Sequence, residues 1–367
     1  MKRFKLAFLF CFSMLLLIPL AFTTLQEDAV SQLDNRMLAK IPVSRRLWIT
    51  QGENFLRDRI GFRDDFILFY RQAMYRLFNV FEHPRYTLGS NGHLYLIDAT
   101  AIEFYQSLYD STALGQIKDK LEILHQYLKS KNKHLLFVQM PMKQNVYPEF
   151  VPSYIHKGTK PLLSAALDEA LKDGGIPHIY LADVLRRYRA IAPTFHQKFD
   201  PQHYTAVGAF VAHEAIAHEL QKLYPNYPIP LWSDFHQSSL KENLAMYFLH
   251  TEEEEVPVLQ RISRDFDIKH LKDDLLDINI STNQNAPIKK TLFLIGDSFL
   301  YDKRVYYSEQ GALDYYGHAF EKVYLIPLAE VKNIYTLIER YQPDIILYET
   351  VEWMLQNHFR FNWTQPS

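Results

Sequence analysis

Three side chains spread over about a hundred residues have the chemistry of acyl transfer: Asp200, His203 and Ser298. Ser298 closes the segment Thr291 to Leu300, in which Leu292, Phe293, Leu294 and Ile295 form an apolar run typical of a strand buried on both faces. The run stops at Gly296-Asp297-Ser298, where glycine permits a close approach and Asp and Ser suit a tight turn or a helix cap. Taken alone, Ser298 reads equally as a cap. A serine hydroxyl becomes a nucleophile when a base takes its proton, and an imidazole base works best when a carboxylate fixes its tautomer. Asp200-Pro201-Gln202-His203 supplies both groups, with Pro201 biasing the aspartate away from helix and a helix expected from Thr205 to about Leu223.

The elements that must position these groups alternate along the chain. The pattern predicts strands at His134 to Met140, Pro177 to Leu181, Leu292 to Ile295, Lys322 to Ile326 and Asp344 to Tyr348. Helices are expected over Ala101 to Lys131, Lys160 to Asp173, Ala182 to Ala190 and Leu328 to Tyr341. Tyr86 to Ile97 reads as a hairpin around Asn91-Gly92. This order predicts an α/β domain with a mainly parallel sheet flanked by helices. Residues 225–290 interrupt it with Pro225, Pro228, Pro230 and the run Glu252 to Glu255, and read as an insertion packed beside the sheet, the acidic run being solvated surface. Between Glu53 and Phe81, apolar residues recur at helical spacing, with Arg59, Arg63, Arg71 and Arg76 assigned to a solvated face.

Gly296-Asp297-Ser298-Phe299 together with Asp200-x-x-His203 resembles the SGNH (GDSL-type) hydrolase superfamily. The order Asp, His, Ser is similar to its circularly permuted branch, which holds the alginate O-acetyltransferases AlgJ and AlgX and the DHHW proteins. Further stretches follow the family order: Asp34-Asn35-Arg36-Met37-Leu38-Ala39, Asp58 to Asp64, Leu88 to Tyr95, and Pro141 to Glu149. The family usually has one residue between Asp and His and a tryptophan after the histidine; this chain has two residues and Tyr204. Tyr348 to Trp353 resembles a segment that normally ends Glu-Arg, and here Trp353 takes the arginine position. The resemblance implies an SGNH-hydrolase-like (flavodoxin-like), circularly permuted fold and a Ser298-His203-Asp200 triad. It also implies a polysaccharide acceptor, and an acetyl donor delivered by a membrane-bound O-acyltransferase. Lys143, just past the strand at 134–140, and Tyr204 are candidate substrate contacts.

Lys2, Arg3 and Lys5 precede an uncharged segment from Leu6 to Gln26, long enough to span a bilayer with the N-terminus inside. Residues 1–26 are therefore expected to be a signal anchor, 27–50 a stalk, and 51–367 the catalytic domain, outside the cytoplasmic membrane. The lone cysteine, Cys11, lies in the anchor, so the exported part has no disulfide. A net charge of −2 gives no basic footprint for nucleic acid. His213 and His218 stand five apart, not the four of a zinc-binding helix, and no phosphate-binding glycine loop or cysteine cluster occurs; no metal or cofactor is expected. G-x-S-x-G is also missing around Ser298, against an α/β-hydrolase. Three readings stay open: an O-acetyltransferase acting on an exported glycan, a carbohydrate acetylesterase, and a noncatalytic polysaccharide-binding or assembly protein.

Overall fold

The computed structural model describes residues 2–26, 29–31, 36–78, 80–244, 249–308 and 310–359; residues 27, 28 and 32–35 of the expected stalk, with Asp34 and Asn35 of the opening motif among them, lie outside these. The chain divides into two compact units, Met1–Glu82 with Asn243–Glu253, and His83–Glu242 with Glu254–Ser367. The domain boundary expected at residue 51 falls inside a helix of the first unit.

The first unit holds α1 (Lys2–Ala21), a short pair β1 (Val30–Ser31) and β2 (Arg36–Met37), α2 (Arg45–Arg59) and α3 (Arg63–Phe78). The Phe4–Ala21 stretch of α1, with mean hydropathy 2.2, is long and apolar enough to cross a membrane. The stretch with helical spacing between Glu53 and Phe81 is divided at Phe62, at φ 62°, between α2 and α3. The residue pattern there follows the sequence expectation at Phe55, which is buried, and Arg76, which is exposed, and departs from it elsewhere. Arg59 is buried and donates to the carbonyls of Ala39, Gln26 and Thr24, while Phe66, Phe69, Leu77 and Phe78 are exposed.

The second unit begins with the expected hairpin, β3 (Tyr86–Leu88) and β4 (Leu94–Leu96), turning through Asn91 and Gly92 at φ 53° and 72°. Next come α4 (Ala99–Tyr105) and α5 (Ala113–Ser130), parted near Ser107 at φ 57°, so the helix expected over 101–131 is two. Then follow β5 (His134–Met140), α6 (Lys143–Val146), α7 (Leu163–Asp173), β6 (His178–Tyr180), α8 (Ala182–Tyr188) and α9 (Ala206–Leu223). β7 (Phe235–Leu244) and β8 (Leu249–Arg261) pair with each other. The remainder is β9 (Asp267–Lys272), β10 (Asp277–Thr282), β11 (Ile288–Gly296), α10 (Lys303–Tyr306), α11 (Leu313–Tyr316), β12 (Phe320–Pro327), α12 (Ile334–Tyr341), β13 (Ile345–Val351) and α13 (Leu355–His358).

Seven strands form one sheet in the order β6-β5-β13-β11-β12-β10-β9. The first five run parallel, and β10 and β9 continue the edge antiparallel. The 225–290 segment thus extends the sheet through β9 and β10 instead of only packing beside it. Apolar side chains alternate to both faces, as a parallel sheet covered by helices requires. Leu292, Leu294, Leu347 and Val138 meet α9 residues such as Phe210 and Ile216 on one face. Phe293, Ile295, Ile346 and Phe137 meet Leu121 and Leu124 of α5, Leu167 of α7 and Ile338 of α12 on the other. The central strand β11 is therefore held from both sides, and its C-terminal end is a fixed platform.

Candidate active site

β11 delivers Leu292 to Ile295 fully buried, and the chain turns at Gly296. A Cβ on Gly296 would lie 2.4 Å from both Glu349 Oε2 and Leu300 Cδ1, so only glycine lets the turn close against β13. Asp297 caps the short turn Ser298–Leu300: one carboxylate oxygen accepts the Phe299 N–H at 3.1 Å and the other the Val351 N–H at 2.7 Å. The turn is fixed from behind as well, because the Tyr204 and Tyr306 hydroxyls donate to the Phe299 carbonyl at 2.8 and 2.7 Å. Ser298 therefore projects from a pinned bend at the end of the central strand.

His203 comes from the loop before α9. Thr205 caps that helix through the Gly208 N–H, and Gly208 lets the helix start close to the Thr194 carbonyl, which a Cβ would approach to 2.1 Å. Asp200 Oδ1 accepts the N–H groups of Gln202 and His203 at 2.9 and 3.0 Å, leaving Oδ2 2.9 Å from His203 Nδ1. The two-residue spacer between Asp and His is what allows one carboxylate to close the loop and face the ring at once. On the other side of the imidazole, Nε2 lies 2.8 Å from Ser298 Oγ. Asp200, His203 and Ser298 thus form one hydrogen-bonded chain, its first two members fully buried.

The charges around this chain are arranged to keep it polarised. Burial alone would raise the Asp200 pKa, but the charge and hydrogen bond of His203 and the Arg304 guanidinium hold it well below the usual carboxylate range. Asp200 is then an obligate acceptor, so Nδ1 carries the ring proton and Nε2 is free to accept from the serine. Burial lowers the His203 pKa, and Asp200, followed by Asp302, more than reverses this, so it stands raised. Arg304 joins the two carboxylates: Nη1 is 3.0 Å from Asp200 Oδ2, while Nε and Nη2 reach Asp302 Oδ1 and Oδ2 at 2.9 and 2.5 Å. Asp302 Oδ2 lies 3.9 Å from His203 Nε2. Neither Asp302 nor Arg304 was singled out from the sequence; their signal was the charged triplet Asp302-Lys303-Arg304 within six residues of Ser298, flanked by aromatic and apolar residues.

The two candidate substrate contacts sit elsewhere. Lys143 is fully buried, and its ammonium donates to the carbonyls of Leu94 and Gln197 at 2.7 and 2.9 Å. Burial draws its pKa down to about 7 against the pull of Glu254 and Asp200. It ties β4 to the loop that carries Asp200, and no part of it faces solvent. Tyr204 is equally buried, with its hydroxyl on the Phe299 carbonyl and 3.1 Å from the Tyr306 hydroxyl; it supports the nucleophile turn from inside. The acidic run also contributes more than surface. Glu254 accepts the N–H groups of Gln197, Lys198 and Phe199 at 2.7, 2.7 and 2.5 Å, fixing the approach to Asp200. His213 lies buried between the Tyr316 and Tyr306 hydroxyls, at 2.9 and 3.0 Å, whereas His218 is exposed.

Residues 88–245 match the family model described as "SGNH hydrolase-like domain, acetyltransferase AlgX". Among solved structures, PatB1 of Bacillus cereus with a sulfonyl adduct superposes with a TM-score of 0.59 at 14% identity, covering 75% of this chain and 99% of that one. A DHHW family protein from Eubacterium siraeum superposes with a TM-score of 0.50 at 11% identity, covering 77% and 100%. The O-acetyltransferase domain of Pseudomonas putida AlgJ gives 0.46 at 16% identity, covering 75% and 93%. No curated protein matches the sequence. The fold is that of the SGNH hydrolases.

Proposed function

We propose that this chain, which carries an SGNH hydrolase-like domain of the AlgX acetyltransferase type, is an O-acetyltransferase that acetylates an exported polysaccharide through Ser298. The observation that carries this reading is the hydrogen-bonded order Asp200, His203, Ser298, the first two inside the matched residues 88–245 and the serine brought to them by β11 from beyond that stretch. Ser298 Oγ attacks the acetyl carbonyl of the donor while His203 Nε2 takes its proton. The negative charge that develops on the carbonyl oxygen is bound by backbone donors of the turn, the Ser298 N–H among them. Collapse expels the donor's alcohol or thiol, which leaves with the proton from His203, and Ser298 holds the acetyl ester. A sugar hydroxyl then gives its proton to Nε2 as it attacks the ester carbonyl, and collapse releases the acetylated sugar while Nε2 returns that proton to Ser298 Oγ. Asp200 stabilises the imidazolium in both halves, and Arg304 keeps Asp200 ionised.

The acetyl group ends on a sugar or on water according to what reaches Nε2 in the second half. The acetyltransferase description of the matching family model supports transfer over hydrolysis, and we take the acceptor to be a sugar hydroxyl. An anchoring α1 fits this use, because it keeps the domain beside a membrane-bound O-acyltransferase that supplies the acetyl group. The test is to supply a soluble acetyl ester with glycan oligosaccharides and follow acetate and acetylated sugar together. Acetylated oligosaccharide whose formation depends on Ser298 supports the transferase. Release of acetate alone at every acceptor concentration and across a panel of glycans would replace it with an esterase.

A further inference from the structure

We infer that the exposed aromatic face of α3 lies in the lipid headgroup region of the membrane that α1 crosses, on the side where α1 ends. The inference rests on reading α1 as a membrane span. In α3, Phe66, Phe69, Ala73 and Leu77 follow one another at steps of three, four and four, which places them on one helix face, and exposed Phe62 stands in the turn just before it. Phe66, Phe69 and Leu77 are 53, 72 and 73% exposed, so nothing among the described residues covers this stripe. Asp65 and Arg76 are exposed along its flank, the arrangement of a helix lying flat at a lipid surface.

The occupant is identified by how α3 is attached to the end of α1. The Gly61 N–H donates to the carbonyl of Pro19, in the last turn of α1, at 2.9 Å, and a Cβ on Gly61 would come within 2.5 Å of Phe22 Cβ. Phe22 and Phe62 pack ring against ring at 5.1 Å while both stay exposed. The peptide just after α1 is held by the buried Arg59, whose guanidinium takes the carbonyls of Thr24 and Gln26, while the Arg59 carbonyl accepts the Thr24 N–H at 3.0 Å. α1 and the start of α3 are therefore joined by a fixed corner, with no slack linker between them. A helix leaving the bilayer at Ala21 brings Phe22 and Phe62 to the interface, where aromatic rings are favoured. The stripe of α3 continues from that pair. Any other partner covering α3 would have to sit against the end of α1 as well, a place the bilayer already occupies.

The test uses the full chain in vesicles of phosphatidylethanolamine and phosphatidylglycerol, with a nitrobenzoxadiazole dye on single cysteines. The native Cys11 reports α1. In a Cys11→Ala background, Phe66→Cys, Phe69→Cys and Leu77→Cys report the stripe, and Leu68→Cys and Tyr75→Cys the other side of the helix. Thermal midpoints and far-ultraviolet circular dichroism select the variants that fold as the parent does. The expected result is loss of emission with headgroup-nitroxide lipids at 66, 69 and 77, little loss at 68 and 75, and quenching of Cys11 by deeper nitroxides. Quenching at Cys11 with dyes at 66, 69 and 77 open to aqueous iodide overturns the inference and leaves the span standing. Stripe dyes shielded from iodide yet untouched by nitroxide lipids mean that a second copy or another protein covers α3, which also overturns it. An unquenched Cys11 removes the span, and the inference with it.

Discussion

In the Asp200, His203, Ser298 chain each group is oriented by its neighbour, the ionised carboxylate facing the imidazole and the imidazole facing the hydroxyl. An imidazole accepts a proton only when neutral, so on the proposed mechanism kcat/KM should rise with pH through the pKa of the folded His203. Burial pulls that pKa down and the carboxylates of Asp200 and Asp302 lift it, so the midpoint should lie above the ordinary 6.5. Asp302→Asn removes one lifting charge, and its profile should shift to lower pH; a shift upward, or none, would show that Asp302 does not act on His203. Arg304→Met removes the cation beside Asp200 and should cut kcat/KM by about tenfold or more, roughly the 1.5–3 kcal/mol of a charged hydrogen bond. The acylation rate of a soluble ester checks it. Asp200, His203 and Ser298 were legible in the sequence because loop Asp-x-x-His and strand-end Gly-Asp-Ser carry their own local geometry. Lys143 and Tyr204 were not, because a lysine or tyrosine beside a site looks the same in sequence whether it faces solvent or is turned inward onto a carbonyl.

At the scale of elements, the site depends on two bends. The first is the end of β11, where Gly296→Ala would force a methyl into Glu349 and Leu300. It should cost about 1–3 kcal/mol by overpacking, seen as a lower thermal midpoint, and should misplace Ser298 so that acylation falls further than stability explains. The second is the loop carrying Asp200, which Glu254 holds by three backbone N–H groups. Glu254→Ala leaves these donors without their acceptor and should destabilise by about 1.5–3 kcal/mol, measured by urea unfolding. A loss below a few tenths would mean that water replaces the carboxylate. The parallel strands were legible because fully apolar runs mark strands covered on both faces. β9 and β10 were hidden because an edge strand exposes one face, and their polar alternation, as in Asp267 to Lys272, resembles an irregular insertion. Breaks at Phe62 and Ser107 were missed for a different reason. Neither is a glycine, and both take a positive φ that their residue types do not announce.

For the whole molecule, the corner after α1 is organised by one buried cation. Arg59 was assigned to solvent by helical periodicity, yet it is the buried residue that gathers three carbonyls between Thr24 and Ala39. Arg59→Met should therefore loosen the segment after α1 and expose it to protease near residues 24–40, while the second unit keeps its own melting transition. Membrane fractionation is a coarser check on the same unit. The full chain should stay with the bilayer through a carbonate wash, and release of an intact chain would count against α1 as a span.

The central claim is that Ser298 carries the acetyl group. Intact mass after brief exposure to an activated acetyl ester, with Ser298→Ala and His203→Ala in parallel, tests it most directly. The account predicts one acetyl adduct on Ser298 in the parent chain, absent in both variants, whose turnover should fall by about four to six orders of magnitude. A folded parent chain that takes up no acetyl group, or one whose adduct persists in Ser298→Ala, would contradict it.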